Sequence, residues 1–451
     1  MSIIKKRSAF AGVKLPENKI TEEEPVEKIS LPQVAVIPVQ QNIGAPCEFI
    51  VKRGDTVKTG QKIADTDKFV SAPIHAPVSG KVSRNKQVLN PVSGAVVEAL
   101  TIESDGQDEW IDMEVIQKIA DIDDLRQVLA MIEKIPAKDI LGKVREAGLV
   151  GLGGAAFPTH VKLSPPPEKK IDTFILNGCE CEPFITSDHR VMLEFGRHIL
   201  LGMFIISQVL KPENLYIAIE DNKPDAIEYM HRLVVEMGLE DKVDVVSLPS
   251  RYPMGAEKTL IKSLVGREVP MGGLPMDVGV VVNNVATCKS VAEAVLEGKP
   301  LVEKIITVTG AFQKPKNLLA RIGTPVSELV DYCVLQDRDK YHVILGGPMM
   351  GVAINDTGYP VTKGLNCVLI KQGKAGREQN CIKCARCVAA CPMDLMPLMY
   401  PKYVKKGRHE ECKQYYISNC IECGSCAYVC PANIPIVGYI KTGKKKIADK
   451  K

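Results

Sequence analysis

Asp172-Thr-Phe-Ile-Leu-Asn-Gly-Cys-Glu-Cys-Glu-Pro183 begins as an apolar strand and runs without a break into polar residues. The same change of character recurs where the strand GVVVNN reaches Asn283-Asn284-Val-Ala-Thr287. Between and beside these lie two more apolar runs, NLYIAIE and KVDVVSL, separated by helical stretches at Val191–Leu210, Asp225–Met237, Glu257–Leu264 and Lys289–Leu296. Strands alternating with helices predict an α/β domain with a largely parallel sheet. Polar groups at the carboxyl ends of such strands mark the place where open sheets bind nucleotides. Two further segments belong to that edge. One is Tyr252-Pro-Met-Gly255-Ala-Glu257, which precedes a helix. The other is the Gly-rich run from Gly148 through Gly151, Gly153, Gly154, Phe157 and His160 to Lys162. Backbone N–H groups of a Gly-rich turn suit an anion, although a lone loop of this kind is weak evidence.

Outward from this core the character changes. Residues 1–30 are polar and predict an extended segment. Residues 31–108 read as short strands punctuated by Gly and Pro, an all-β unit. Its GDTVKTGQ and APVSGKV motifs look like the barrel-sandwich of lipoyl and biotinyl carriers, with Asp67-Lys68 between them, and a surface lysine on a docking module is the plainer reading of Lys68. The run MEVIQKIADIDDLRQVLAMIEKI predicts helix and leads into the α/β domain, taken as 109–302. Residues 303–372 return to β character around KIITVTGAF and HVILGG, with a short helix TPVSELVDYC between them. Residues 373–440 are Cys-rich and predict a helical module, and 441–451 form a basic tail expected to be solvated.

The cysteines carry the chemistry. Of 15 in the chain, nine fall between Cys381 and Cys430. Cys381-Ile-Lys-Cys384-Ala-Arg-Cys387-Val-Ala-Ala-Cys391-Pro392 is repeated as Cys420-Ile-Glu-Cys423-Gly-Ser-Cys426-Ala-Tyr-Val-Cys430-Pro431. Three thiolates at this spacing wrap one iron–sulfur cubane, and the fourth ligates the neighbouring cluster. The spacing therefore predicts two [4Fe–4S] clusters, one on Cys381, Cys384, Cys387 and Cys430, the other on Cys420, Cys423, Cys426 and Cys391. A pair of zinc sites would use separated two-cysteine knuckles instead. Two clusters make a one-electron wire and cannot accept a hydride by themselves. Cys179 and Cys181 read as small packing residues.

Composition narrows the field. The chain has 451 residues, a net charge of +4, 45% hydrophobic residues and one Trp. That balance argues against nucleic acid as a partner. The longest apolar candidate, Ile199–Leu210, is too short to span a bilayer, and the N-terminus has no apolar signal region, so neither a membrane span nor secretion is expected.

The Gly-rich segment, NGCECEP, YPMGAE and NNVAT together resemble the flavin-binding domain of the NADH-oxidising subunit of respiratory complex I. In the order of its modules the chain resembles the RnfC components of the Rnf complexes, ion-translocating ferredoxin:NAD oxidoreductases, over nearly its full length. The resemblance implies FMN as cofactor and NAD(H) as substrate. It implies that Gly151, Gly153, Gly154 and Lys162 hold flavin phosphate and ribityl groups and that Asn177, Asn283, Asn284 and Thr287 also contact FMN. Glu180 and Glu182, the catalytic candidates, face the flavin ring and nicotinamide. Tyr252 and Glu257 line the nicotinamide side, and Phe157 meets the dinucleotide. It further implies a β-grasp-like module after the flavin domain, integral-membrane and iron–sulfur partner subunits, ferredoxin as an indirect partner, and a peripheral position at the cytoplasmic face of the cell membrane. Two departures stand out: Ala256 replaces an expected acid beside Glu257, and the loop Glu268–Met276 has no aromatic for adenine. Two alternatives share parts of this pattern. A cobalamin reductase of related type has the flavin core and clusters, and an electron-transfer adaptor has clusters with a vacant flavin cleft.

Overall fold

The computed structural model describes residues 3–89, 95–336, 341–373 and 376–449. Its central sheet has five parallel strands, in spatial order Ile4–Lys5, Val243–Leu248, Asn214–Glu220, Thr173–Gly178 and Val280–Asn284. The chain lays down Thr173–Gly178, adds two strands on one side, and then returns to add Val280–Asn284 on the other. That reversal creates a switch point between Thr173–Gly178 and Val280–Asn284. The register there sets Asn177 directly beside Asn284.

Both faces of the sheet are covered. Phe174, Leu176, Ile217 and Val281 pack with one set of helices, while Ile175, Ala218 and Val282 pack with the helix Glu257–Val265. Burial on both sides explains why these strands read as continuous apolar runs. The expected helix Val191–Leu210 is two helices, Ser187–Glu194 and Gly196–Leu210, bent by 92° at Phe195. The second packs on Val285–Leu296, and a Cβ at Gly202 would overlap the Cys288 carbonyl, so only glycine permits this crossing. The helical expectation for residues 110–150 holds for Leu125–Ile132, N-capped by Asp124, and for Ala137–Glu146. It fails before residue 119, where the backbone has other partners: Trp110 bridges Thr59 of the β-sandwich and Ile116 N–H bonds to Leu296.

The N-terminal unit is a barrel-sandwich of a four-stranded and a three-stranded sheet around Ala35, Ile37, Ile63, Ile74, Val82, Leu100 and Ile102. After the parallel sheet comes a six-stranded mixed sheet, ordered Val352–Ile354, Tyr341–Leu345, Cys367–Gln372, Glu303–Gly310, Lys316–Arg321 and Val26–Lys28. Residues 3–28 are extended, as expected, and they tie the units together. Ile4–Lys5 edges the parallel sheet, Val13 bridges Tyr252, and Val26–Lys28 edges the mixed sheet.

The C-terminal module repeats its backbone with its cysteines. Lys383 and Ala385 have positive φ, as do Glu422 and Gly424 at the matching places, and Asp394 matches Asn433. Each third cysteine stands on a single-turn helix, Arg386–Ala389 or Ser425–Tyr428. The expected solvated tail is a correction: residues up to 448 complete the helix Ile436–Ala448, which buries Ile440 and Gly443 against the module. A period of apolar residues in VGYIKTGKKKIA is what the lysines obscured.

Candidate functional site

At the switch point the Gly-rich loop lies against the strand ends. The Leu152 N–H donates to Thr287 Oγ1 at 2.9 Å, and a Cβ on Gly153 would come within 3.3 Å of Asn284 Cβ. Gly153 and Gly154 are exposed at this cradle. Asn284 has two tasks. Its Oδ1 caps the helix Val285–Leu296 at Ala286 N, and its Nδ2 donates to Asp188 at 2.6 Å. Asn177 Nδ2 donates to the Gly255 carbonyl at 2.9 Å while its Oδ1 accepts from Cys179 N–H. That holds the Tyr252–Gly255 turn against NGCECEP, where a Cβ at Gly255 would overlap the Cys179 carbonyl. The amide nitrogen of Asn283 is buried and has no hydrogen-bond partner. Lys162 is ion-paired with Glu257, and its Nζ also donates to the Val282 carbonyl at 2.9 Å.

The glycine cradle, the orphaned Asn283 donor and a lysine at the same strand ends fit a flavin mononucleotide. Several expected roles change in detail. Thr287 is fully buried and spends its hydroxyl on pinning the Gly-rich loop. Glu180 is buried and accepts from Ser187 Oγ, Asp188 N–H and His189 N–H, so its carboxylate caps the helix Ser187–Glu194 instead of standing free beside a ring. Glu182 accepts from Met349 and Met350 N–H of the mixed-sheet module, and burial outweighs those bonds and pushes its pKa up to about 7. Tyr252 is the clearest correction. It is buried, and its hydroxyl donates to the Cys423 carbonyl at 2.6 Å, so that end of the side chain faces the cluster module and not the nicotinamide side. Phe157 is half-buried on the Gly-rich loop.

Two residues without any sequence signal complete the site. Lys19, from the extended N-terminal segment, donates to the carbonyls of Glu180, Glu182 and Ile185 at 2.8, 2.9 and 2.5 Å. It holds the whole acidic loop from behind. Asp188 is buried beside Asn284, and burial, then the nearby Glu180 charge, pushes it up to about 7. A lysine in a polar N-terminal stretch reads as surface; only the three-dimensional path of that stretch brings it inside.

The cysteines gather as the spacing predicts. Cys381, Cys384, Cys387 and Cys430 line one cavity of about 280 Å³. In the other set, Cys426 is raised by burial and then by Cys420, Cys423 and Cys391. Buried, mutually repelling thiols hold their protons until a cation neutralises them. Among the described residues no group of His, Cys, Asp or Glu is arranged for a single metal ion. Thiols spread around a cavity suit a cubane. Tyr252, Cys181, Cys423 and Val13 share one small apolar cluster, so this second set stands directly against the acidic loop.

Comparison with known proteins agrees with each part. Residues 8–107 match the RnfC barrel sandwich hybrid domain, 144–293 the Nuo51 FMN-binding domain, and 380–434 a 4Fe-4S dicluster domain. The chain is 45% identical over 414 residues to the RnfC component of the proton-translocating ferredoxin:NAD(+) oxidoreductase complex of Clostridium ljungdahlii, covering 90% of this chain and 87% of that one. The chain belongs to the RnfC family. A second relative, the corresponding component of the Na(+)-translocating ferredoxin:NAD(+) oxidoreductase complex of Acetobacterium woodii, is 41% identical, with coverage of 89% and 88%. In fold the chain is similar to a chain of an NAD+-reducing [NiFe]-hydrogenase in its H2-reduced state, with TM-score 0.51, 17% identity, and 75% of this chain covering 66% of that one. As a member of the RnfC family, the chain is an FMN and 4Fe-4S protein and a component of an oxidoreductase translocase. Among the described residues no single helix is long and apolar enough to cross a membrane.

Proposed function

We propose that this RnfC protein exchanges a hydride with NAD(H) at the carboxyl edge of its parallel sheet and relays single electrons to and from partner subunits that lead to ferredoxin. The coupled ion movement belongs to other subunits, and the chain sits peripherally at the cytoplasmic face of the membrane. The observation that carries this reading is the Tyr252–Cys423 hydrogen bond, because it ties the acidic loop of the cleft to a cysteine of the cluster module. FMN, when bound, supplies what the clusters lack, the conversion between a hydride and single electrons.

The chain's own residues then have definite tasks. Gly151, Gly153 and Gly154 let the backbone approach a phosphorylated ligand, Asn177, Asn283 and Asn284 offer amides at the switch point, and Lys162, oriented by Glu257, adds positive charge. Thr287 acts through the loop it pins. Glu182, held by Met349 and Met350, is the carboxyl group placed to orient nicotinamide, with Phe157 toward the dinucleotide. Glu180 sets the helix that carries Asp188. The mixed sheet with helix Val326–Cys333 across it is read as a β-grasp-like module; its loop at Gly347–Met350 closes on Glu182 and keeps water from the cleft. The C-terminal module is read as a helical two-cluster ferredoxin-like domain, with cysteines assigned as the spacing predicts.

Anaerobic titration with NADH tests the proposal. Flavin and cluster absorbance should bleach together in protein carrying about one FMN per chain. Fully loaded protein that stays oxidised would reduce it to a passive relay.

A further inference from the structure

The two sets of thiols lie in unlike surroundings. Cys391, Cys423 and Cys426 are buried, and Cys423 is bonded through its carbonyl to Tyr252 of the cleft. Cys381 and Cys384 are exposed, as is the whole segment from Cys381 to Arg386. Charge differs in the same sense. The cavity of the exposed set is rimmed by Lys383, Arg386, Lys402, Lys405 and Lys406. Lys405 pairs with Glu378 and Lys402 lies over Tyr403, while Lys383, Arg386 and Lys406 form no ion pair among the described residues. The buried set has Lys444, whose charge is answered by Glu422. At the middle of the basic rim Ile382 is 69% exposed.

We propose that the Cys381–Arg386 edge is the face on which a redox partner protein docks, one that presents carboxylates around its own one-electron carrier and a small apolar contact for Ile382. The inference rests on the proposed function and adds the place and the chemistry of the handover. Cations needed only to balance a cluster would not have to stand free on its outer side, between the ligands and solvent. An exposed apolar residue inside a ring of like charge is the layout of an interface with an apolar centre and a steering rim. At this face one electron crosses in either direction. The partner's carrier is reduced as the cluster is oxidised, or the reverse, with no bond made or broken and no proton moved.

The test uses the full-length, cluster-loaded chain and the membrane-embedded remainder of the complex, purified in detergent without this component. Rebinding of the wild type should weaken at least about tenfold between roughly 50 and 300 mM salt, since exposed charges are screened over such a range. The double substitution Lys383→Glu with Arg386→Glu should weaken rebinding by about tenfold or more at low salt. Lys406→Glu, outside the ligand loop, should weaken it in the same direction even if the double variant assembles its cluster poorly. Lys138→Glu, on a distant helix, should rebind like the wild type. NADH-driven bleaching of flavin and clusters within the chain should be unchanged in the Lys406 variant. Equal rebinding by all variants overturns the proposal. So does a loss seen equally on vesicles of phosphatidylglycerol and phosphatidylcholine, which would make the occupant a lipid surface. Wild type that NADH fails to bleach would instead indict the proposed function, and the rebinding series would still judge the docking face.

Discussion

Lys19 is the residue on which the acidic loop depends. Its ammonium meets three backbone carbonyls that no other donor is positioned to serve, at the cost of burial, which lowers its pKa. Lys19→Met should destabilise the protein by about 2–4 kcal/mol, since buried acceptors are then left unpaired. Lys19→Arg should not restore it, because a planar fork does not match three carbonyls converging on a point. Thermal midpoints and FMN retention check both; unchanged values in Lys19→Met would show the loop to be held elsewhere. Glu182 makes a second test. Its folded pKa, about 7, lies above the ordinary carboxylate value of 4.5, so the folded state holds its proton more tightly than the unfolded chain. Stability is therefore lost as pH rises from about 4.5 through about 7 and is level above that, by at most about 3 kcal/mol. Glu182→Gln should raise the thermal midpoint more at pH 8 than at pH 5.5, while slowing NADH-driven bleaching and leaving dithionite reduction normal. An equal gain at both pH values would mean that the carboxyl group is not desolvated.

At the scale of elements, the parallel sheet and the duplicated cysteine loops were legible in the sequence because each has a strong local signature. Apolar strands ending in Asn-Gly or Asn-Asn announce a switch point, and the cysteine spacing announces shared ligation. The exchange can be tested directly: Cys430→Ala should perturb the EPR signal of the cluster held by Cys381, Cys384 and Cys387, and a spectrum altered like that of the Cys420 group would contradict the assignment. Other elements were not legible because their determinants are distant. The 92° bend at Phe195 follows from packing of Ser187–Glu194 over Glu180 and of Gly196–Leu210 over Cys288. The C-terminal helix hid behind lysines that face solvent while Ile436, Ile440 and Gly443 turn inward. Tyr252 was legible as a site residue but not in its direction, since nothing in YPMGAE tells that Cys423 lies across from it.

At the scale of the whole molecule, the extended first residues decide how the units meet. They edge the parallel sheet at Val246–Ser247, bridge Tyr252, hold the acidic loop through Lys19, join Thr186 and Asn317 through Thr21, and edge the mixed sheet at Asn317–Leu319. Removal of residues 1–29 should leave the barrel-sandwich folded but loosen the cleft. The expected result is loss of NADH reactivity and easier proteolysis between the parallel sheet and the cluster module, with iron content largely kept. Retained NADH bleaching after the truncation would assign the alignment to the remaining contacts.

That path has a consequence for biosynthesis. A ribosome releases Ile4, Lys19 and Val26 long before Val246, Glu182 and Leu319, yet none of the first three can find its place until its partner has also emerged. The early stretch must wait, unpaired, through most of translation, and some of the last tertiary bonds to close belong to an old part of the polypeptide.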